Sequence, residues 1–204
     1  MATPRKFDVV IIGAGIAGSA LAVALAGSGL SLAVVEAQPL TRKPLPDERS
    51  LNSFDARVSA LTPKSIGLLE ALGAWDDIAA YRHCPYGHMT VWDADGTGRI
   101  EFDCSELKVP ALGHIVENRV IVDSLLLAQE RAPDVERCNP DRLESCQRLR
   151  DGTVDLTLES GELLQASLVV GADGALSRVR QMLDFKTREW DYGHQALVCT
   201  VQTA

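Results

Sequence analysis

The sequence has few aromatic residues, few cysteines and no surplus of positive charge. Its five cysteines form no C-x-x-C pair, which argues against a disulfide framework and against a zinc knuckle. Lys and Arg number 20 against 28 Asp and Glu, a net charge of -8, so we expect no broad surface for nucleic acid or anionic membrane. The remaining composition, 46% hydrophobic and 24% charged, is that of a globular chain, and we expect reduced thiols in a cytoplasmic protein.

A stretch without charge runs from Val9 to Val35, after Arg5 and Lys6. Its length would allow a membrane-spanning helix or a signal segment. However, the stretch divides into β-branched residues, a glycine turn, an alanine-rich piece, a second glycine break and another strand-like piece. This pattern favours strand, helix, strand over one long helix.

A glycine motif joins the predicted strand Phe7 to Ile12 to the predicted helix Ile16 to Ala26. Gly13 would allow a tight turn, Gly15 would let a pyrophosphate approach the backbone, and Gly18 would let the helix lie close to the sheet. The helix dipole and free N–H groups would then face the phosphates. The alternative is a glycine-rich helix start without a ligand. The candidate loop residues are Gly13, Ala14, Gly15, Ile16, Ala17 and Gly18.

An acidic residue ends the second predicted strand, Leu32 to Val35. Glu36 follows Gly18 by 18 residues, the spacing at which a carboxylate accepts hydrogen bonds from ribose hydroxyls. The same charge would repel a 2′-phosphate. The site should therefore prefer the adenosine half of FAD or NAD to that of NADP.

Two further residues are candidates for a nucleotide site. Arg57 stands at a loop-to-helix junction, as a phosphate clamp or as a surface ion-pair partner, and the residues alone favour the surface role. Asp173, in Gly-Ala-Asp-Gly, follows the predicted short buried strand Leu168 to Val170. Ligands of open α/β sheets bind at such strand ends, although an Asp-Gly turn is the commoner meaning of this dipeptide.

Turn signals predict two hairpins in the rest of the chain. One runs from His88 to Asp103 around Asp95-Gly96, and the other from Val154 to Ala166 around Ser160-Gly161. A helix is predicted from Thr62-Pro63 up to Gly73, and another over Val120 to Arg131. Strands alternating with helices indicate the α/β class, with a central parallel sheet and added β-hairpins.

The histidines give no metal-binding pattern. None of His83, His88, His114 and His194 has a spacing such as H-E-x-x-H. A site made of Cys84, His88 and Cys104 is the alternative to single unconnected residues, which we favour. We therefore predict no metal ligand.

Several motifs in order resemble the group A flavin-dependent aromatic hydroxylases, most closely their ubiquinone-biosynthesis branch. They are Gly13 to Gly18 with Glu36, Arg57 within Arg-Val-Ser-Ala-Leu, Gly113 to Asn118, Gly171 to Arg180, and Trp190 to Val198. The resemblance covers nearly the whole chain. The ordered series is far more specific than any one of its members.

The resemblance implies FAD as the cofactor, with these residues as its contacts. Gly13, Gly15 and Gly18 would bind the pyrophosphate, and Glu36 the adenosine ribose. Arg57 would contact the diphosphate or ribityl region, which reverses the preference for a surface role. A second fingerprint, Asp173 and Gly174, would support FAD binding and help to handle the pyridine nucleotide. Many relatives carry Arg where Asn118 stands.

The resemblance also implies a Rossmann-like FAD/NAD(P)-binding domain and a monooxygenase reaction. NAD(P)H, as a transient co-substrate, would reduce the flavin. Oxygen would then hydroxylate an aromatic, lipid-tailed phenol through a flavin C4a-hydroperoxide, at a cytoplasmic site peripheral to a membrane or biosynthetic complex. Because the cofactor carries the chemistry, we predict no catalytic acid or base. The domain would span residues 1–184, with hairpin insertions around 86–104 and 142–167.

The chain departs from the family after this point. It lacks the family's third FAD fingerprint and most of the substrate-binding sheet, so residues 185–204 are expected to hold only that domain's first strand, over Ala196 to Val201. We accordingly expect an N-terminal fragment. Two other functions stay open: a nucleotide-binding chain without turnover that assembles with a partner or a second copy, and an NAD-dependent dehydrogenase.

Overall fold

A computed structural model describes residues 3–42, 51–132 and 134–202 of the chain. The strands are β1 (Arg5–Ile12), β2 (Leu32–Val35), β3 (Val58–Leu61), β4 (Cys84–Tyr86), β5 (His88–Trp92), β6 (Arg99–Asp103), β7 (Gly113–Glu117), β8 (Val135–Cys138), β9 (Leu143–Arg148), β10 (Val154–Leu158) and β11 (Leu163–Gly171). The α-helices are α1 (Ile16–Leu25), α2 (Pro63–Ala71), α3 (Trp75–Tyr81), α4 (Asn118–Glu130) and α5 (Arg178–Met182). A short 3₁₀ helix covers Leu51–Ser53.

The chain forms two compact units. The first contains residues 1–44 and 125–197, and the second contains residues 45–124 and 198–204. The first unit is built on a six-stranded sheet in the order β8-β2-β1-β11-β10-β9. Strands β8, β2, β1 and β11 run parallel, whereas β10 and β9 are antiparallel to their neighbours. The α/β class predicted from the sequence is thus confirmed.

The uncharged stretch from Val9 to Val35 is strand, helix and strand. Alternating side chains of β1 point to opposite faces of the sheet, so Val10 and Ile12 join one buried cluster while Val9 and Ile11 join another. A strand covered on both faces has no solvent-facing position, and this explains the absence of charge in Val9–Ile12 and Leu32–Val35. Among the described residues, no helix is both long and apolar enough to cross a bilayer.

The long strand β11 unites two features that the sequence suggested separately. Its first half pairs antiparallel with β10, as the predicted hairpin requires, and the whole strand pairs in parallel with β1. The expected short buried strand Leu168 to Val170 is the second half of β11. It is less buried than predicted, since Leu168 is 55% exposed.

The second unit contains a three-stranded sheet, β3-β7-β4, and the hairpin β5-β6. The hairpin confirms the one predicted around Asp95-Gly96. Helix α2 begins as predicted, with Thr62 as its N-cap and Pro63 in its first turn, and the Thr62 side chain accepts a hydrogen bond from the Ser65 N–H at 3.3 Å.

The end of the chain differs from the prediction. In the described part of the chain, no strand forms over Ala196–Val201, and Leu197, Val198 and Val201 are exposed. A strand is stable only where neighbouring strands accept and donate its backbone hydrogen bonds, and none of the described sheets includes this segment. The assignment of residues 185–204 to a second domain stays a prediction.

Candidate nucleotide-binding site

The turn between β1 and α1 requires glycine at its first position. Gly13 has a φ of +103°, a conformation that L side chains rarely adopt. A Cβ on Gly13 would lie 2.5 Å from the Ala172 carbonyl oxygen. The Gly13 N–H donates to the Val35 carbonyl at 2.8 Å, which ties the turn to β2.

The other two glycines of the motif have different surroundings. A Cβ on Gly18 would lie 1.9 Å from the carbonyl oxygen of Gly13, so only glycine allows the helix to approach the turn this closely. Gly15 is exposed, and a Cβ there would meet nothing within 4 Å. The space in front of Gly15 is therefore open to a ligand.

The N-terminus of α1 is suited to an anion. Its N-cap, Gly15, makes no side-chain capping bond, and the first turn carries no acidic residue. The first N–H groups of an α-helix lack partners within the helix, and the helix dipole places partial positive charge there. An incoming phosphate would satisfy these N–H groups.

Glu36 holds the glycine turn through its carboxylate. Its Oε2 accepts a hydrogen bond from the Ala14 N–H at 2.8 Å, and its Oε1 accepts one from the Gln38 N–H at 2.9 Å. Each carboxylate oxygen can accept more than one hydrogen bond. Glu36 can therefore keep these bonds and still accept from ribose hydroxyls.

Asp173 organises the turn that follows β11. Its Oδ1 accepts from the Ser177 hydroxyl at 2.6 Å, and its Oδ2 accepts from the N–H groups of Arg178 at 2.6 Å and Val179 at 3.3 Å. Gly174, next to it, is exposed and has a φ of +84°. The carboxylate thus secures the start of α5, in addition to any contact with a ligand.

The first unit brings Gly13, Glu36 and Asp173 to one pocket of about 230 Å³. Several of the residues that line this pocket were not assigned from the sequence. Some of them lie within the quoted motif Gly171 to Arg180, and no sequence signal pointed to the others. These residues come after β2, around α5, and after β8, where Asp141 donates its N–H to the Glu36 carbonyl at 2.9 Å. The missed lining residues are Ala37, Asp141, Arg142, Leu143, Leu176 and Arg178.

Arg57 belongs to the second unit. Its backbone N–H donates to Asp55 Oδ1 at 3.1 Å, and its carbonyl accepts from the Asn118 N–H at 2.9 Å. The side chain is exposed, and within the described residues no hydrogen bond or ion pair holds its guanidinium. It is therefore not the ion-paired surface arginine that the residues alone favoured.

The residues of the first unit fit a dinucleotide. They offer an uncapped helix N-terminus, open space at Gly15, and a carboxylate that can still accept hydrogen bonds from a ribose. FAD has groups of matching chemistry, a diphosphate and an adenosine ribose.

An aromatic cluster in the second unit includes two of the histidines. The rings of His83 and His114 lie 4.9 Å apart, and both contact Trp75. Burial, and to a lesser degree the neighbouring His83, lower the pKa of His114 below the ordinary value for histidine. In the described part of the chain, no three His, Cys, Asp or Glu side chains come together as a metal site.

Buried thiols do not add a nucleophile to the first unit. Burial raises the pKa of Cys138 to about 11, and it raises the pKa of Cys146 as well. Because the thiolate is the reactive form, both side chains are inert near neutral pH.

Comparison with protein families gives a match over nearly the whole chain. Residues 6–202 match the profile described as FAD binding domain. The 3-demethoxyubiquinol 3-hydroxylase of Escherichia coli is 37% identical over 200 residues, which cover 98% of this chain and 49% of that protein. The mitochondrial ubiquinone biosynthesis monooxygenase COQ6 of Xenopus tropicalis is 37% identical over 209 residues, covering 97% of this chain and 44% of that protein.

Solved structures share the fold. PqsL of Pseudomonas aeruginosa, in complex with 2-aminobenzoylacetate, superimposes with a TM-score of 0.71 at 27% identity, covering 92% of this chain and 48% of that one. Aklavinone-11 hydroxylase, solved with FAD and aklavinone, gives a TM-score of 0.63 at 24% identity, covering 90% of this chain and 36% of that one. The chain spans about half the length of the two hydroxylase relatives.

Proposed function

The chain belongs to the FAD binding domain family, and on that premise we propose that it is the cofactor-binding part of an FAD-dependent monooxygenase acting in ubiquinone biosynthesis. The observation that carries this proposal is the 37% identity to a 3-demethoxyubiquinol 3-hydroxylase along 98% of the chain. The reaction is the hydroxylation of an aromatic, polyprenylated phenol with NAD(P)H and O₂. When bound, FAD supplies the redox chemistry that links NAD(P)H to oxygen.

The glycine loop binds the diphosphate of FAD. Gly15 leaves room for it, and Ala14, Ile16 and Ala17 are its neighbours in the chain at the start of α1. The N–H groups and the helix dipole stabilise the negative charge, while Gly13 and Gly18 keep the turn closed behind it.

Glu36 binds the adenosine ribose and selects against a 2′-phosphate. Its carboxylate accepts from ribose hydroxyls while it holds the backbone at Ala14 and Gln38. A 2′-phosphate at the same place would set two negative charges against each other.

Asp173, Gly174 and Arg57 complete the proposed contacts. Asp173 and Gly174 support the FAD site from the turn after β11, which packs against Gly13. Arg57 contributes its unpaired guanidinium to the diphosphate or ribityl group, an interaction that suits its planar set of donors.

The substrate and its location follow from the same proposal. A phenol with a polyprenyl tail is drawn from a membrane, so the parent protein works at a membrane periphery or within a biosynthetic complex. Residues 1–184 then form the FAD domain, and residues 185–204 begin a substrate domain.

Titration of the purified chain with FAD tests the proposal. We expect saturable binding, seen as quenched flavin fluorescence and a shifted visible absorption band. The expected competition is strong from ADP-ribose and weak from its 2′-phosphorylated form. Tight binding of NAD without FAD would instead favour a dehydrogenase, and absence of all nucleotide binding would contradict the assignment of the loop.

A second experiment distinguishes an enzyme from a chain that binds a nucleotide without turnover. A longer protein that contains this chain should oxidise NAD(P)H faster when a prenylated phenol is added. FAD binding with no such acceleration, together with a discrete oligomer, would favour a nucleotide-binding chain that assembles with a partner or a second copy.

A further inference from the structure

Glu117 is a buried carboxylate to which the proposed function gives no role. It ends β7 and is 5% exposed. Its Oε2 accepts from the Asp55 N–H at 2.8 Å and from the Arg119 Nε at 2.9 Å. Its Oε1 lies 2.6 Å from a terminal nitrogen of Arg82. One negative charge is thus shared by two guanidinium groups and one backbone amide.

Both guanidinium groups also hold the segment that precedes Arg57. Arg82 donates to the Ser53 carbonyl at 2.8 Å, and Arg119 donates to the same oxygen. The Arg82 guanidinium lies over the Phe54 ring, 3.9 Å from its centre. Ser53 is itself buried. Glu117 therefore neutralises the two cations that anchor Ser53 and Phe54, and it binds the next residue, Asp55, directly.

The same anchor extends to the backbone of Arg57. Asp55 Oδ1 accepts from the Arg57 N–H at 3.1 Å. The N–H of Asn118, the residue after Glu117, donates to the Arg57 carbonyl at 2.9 Å. Arg57 is thereby fixed on both sides of its Cα, while its guanidinium extends into solvent.

Removal of the central charge should loosen this arrangement. A carboxylate enclosed with two guanidinium groups compensates the cost of burying them, and a neutral residue in its place leaves them uncompensated.

We propose that Glu117 is a positioning residue, which sets the direction of Arg57 through Asp55 and the two arginines. The inference rests on the proposed function in one respect, since Arg57 is taken to bind the diphosphate or ribityl group of FAD.

The first measurement concerns the chain without FAD. Glu117→Gln should increase hydrogen exchange at the amides of residues 53–57, as measured by mass spectrometry, while the sheet β3-β7-β4 stays protected. Glu101→Gln is the matched control, because Glu101 is an exposed glutamate of the same unit that pairs with Arg99. Unchanged exchange in the Glu117 variant would overturn the inference. If Glu117→Gln unfolds, Arg119→Gln provides the milder test, as it removes one of the two clamps on Ser53.

The second measurement is a double-mutant cycle on FAD affinity. Glu117→Gln should weaken FAD binding about tenfold in the wild-type background and less than about twofold in Arg57→Ala, because its effect passes through Arg57. Equal weakening in both backgrounds would overturn the inference. If Arg57→Ala alone leaves FAD affinity unchanged, the proposed contact of Arg57 is wrong and Glu117 is a structural residue only.

Discussion

The three glycines of the loop show that one residue type can serve three physical purposes. Gly13 is needed for its backbone conformation, and Gly18 for the close approach of α1 to the turn. Gly15 is needed for neither, because a Cβ there meets no atom of the chain. Its missing side chain benefits only a molecule that comes from outside.

A matched pair of substitutions separates these purposes. Gly18→Ala should destabilise the fold by about 3 kcal/mol, since its Cβ would overlap a backbone oxygen. Gly15→Ala should change the free energy of unfolding by less than about 1 kcal/mol and yet weaken FAD binding strongly. Chemical denaturation and fluorescence titration measure the two effects. Equal FAD affinity in Gly15→Ala and wild type would contradict the assigned role of the loop.

His114 gives a prediction for pH. Its pKa is lowered in the folded chain by burial and by His83, so as the pH falls through the ordinary value of about 6.5 the unfolded chain takes up a proton before the folded chain does. The free energy of unfolding should therefore fall as the pH drops below this value. His114→Gln should flatten the profile below about pH 6.5.

The control for this pH profile is His194→Gln, because His194 is exposed in the last described segment. Its denaturation curves should follow the wild type at each pH. An unchanged slope in His114→Gln would mean that another group causes the loss.

At the residue scale, the sequence predicted positions better than partners. Glu36 could be identified because it follows a strand at a fixed distance from the glycines. Its bond to the Ala14 N–H could not, since it depends on how the turn closes. Glu117 lies within the quoted motif Gly113 to Asn118, but no role was assigned to it from the sequence. Its burial and its ion pair with Arg82 are visible only in the structure.

Elements were predictable where the periodicity was long enough. Strand β1, helix α1 and the hairpin β5-β6 have clear patterns and turn signals. Strand β8 was missed because its four residues include Glu136 and Arg137, so no apolar alternation is visible. Its place beside β2 is decided by parallel pairing in the folded sheet, which a local pattern does not encode.

In the described part of the chain, one apolar face of the hairpin β5-β6 is exposed. Met89 pairs with Phe102 and Val91 with Ile100, and all four side chains are at least 41% exposed. Cross-strand partners lie on the same face of a sheet, so these residues form a continuous surface. Such a surface lowers solubility whenever it faces water.

Replacing two of these residues should improve the behaviour of the chain. The double variant Val91→Thr with Ile100→Thr should raise the concentration at which the chain aggregates. The free energy of unfolding should fall by less than about 1 kcal/mol, since threonine favours strands and the replaced side chains are half exposed. Light scattering and denaturation provide the two measurements. A large loss of stability would show that the face is covered in solution.

At the scale of the whole molecule, the same strands form the hydrophobic core and hold the candidate site. The strands that end at the candidate site, β1 and β2, are also the ones buried on both faces. A ligand that binds only the folded chain must therefore stabilise this sheet as a unit.

Thermodynamic linkage gives the size of that effect. At a free FAD concentration about 100 times the Kd, the free energy of unfolding should rise by about 2.7 kcal/mol. Denaturation with and without FAD measures it, with Gly15→Ala as the control that should show little gain. A denaturation curve unchanged by saturating FAD would contradict binding to the folded chain.

The pairing of β1 with β11 also determines how late in synthesis the central sheet can form. Ile12 lies beside Gly171, so β1 leaves the ribosome roughly 160 residues before its central partner, a wait of about 10–30 s at ordinary rates of translation. During that interval Val9, Val10, Ile11 and Ile12 are outside the ribosomal exit tunnel, while β11, their partner on one side, has not yet been made. Of the strands in this sheet, the first to be made is thus among the last to be completed, and its apolar side chains stay exposed in the meantime.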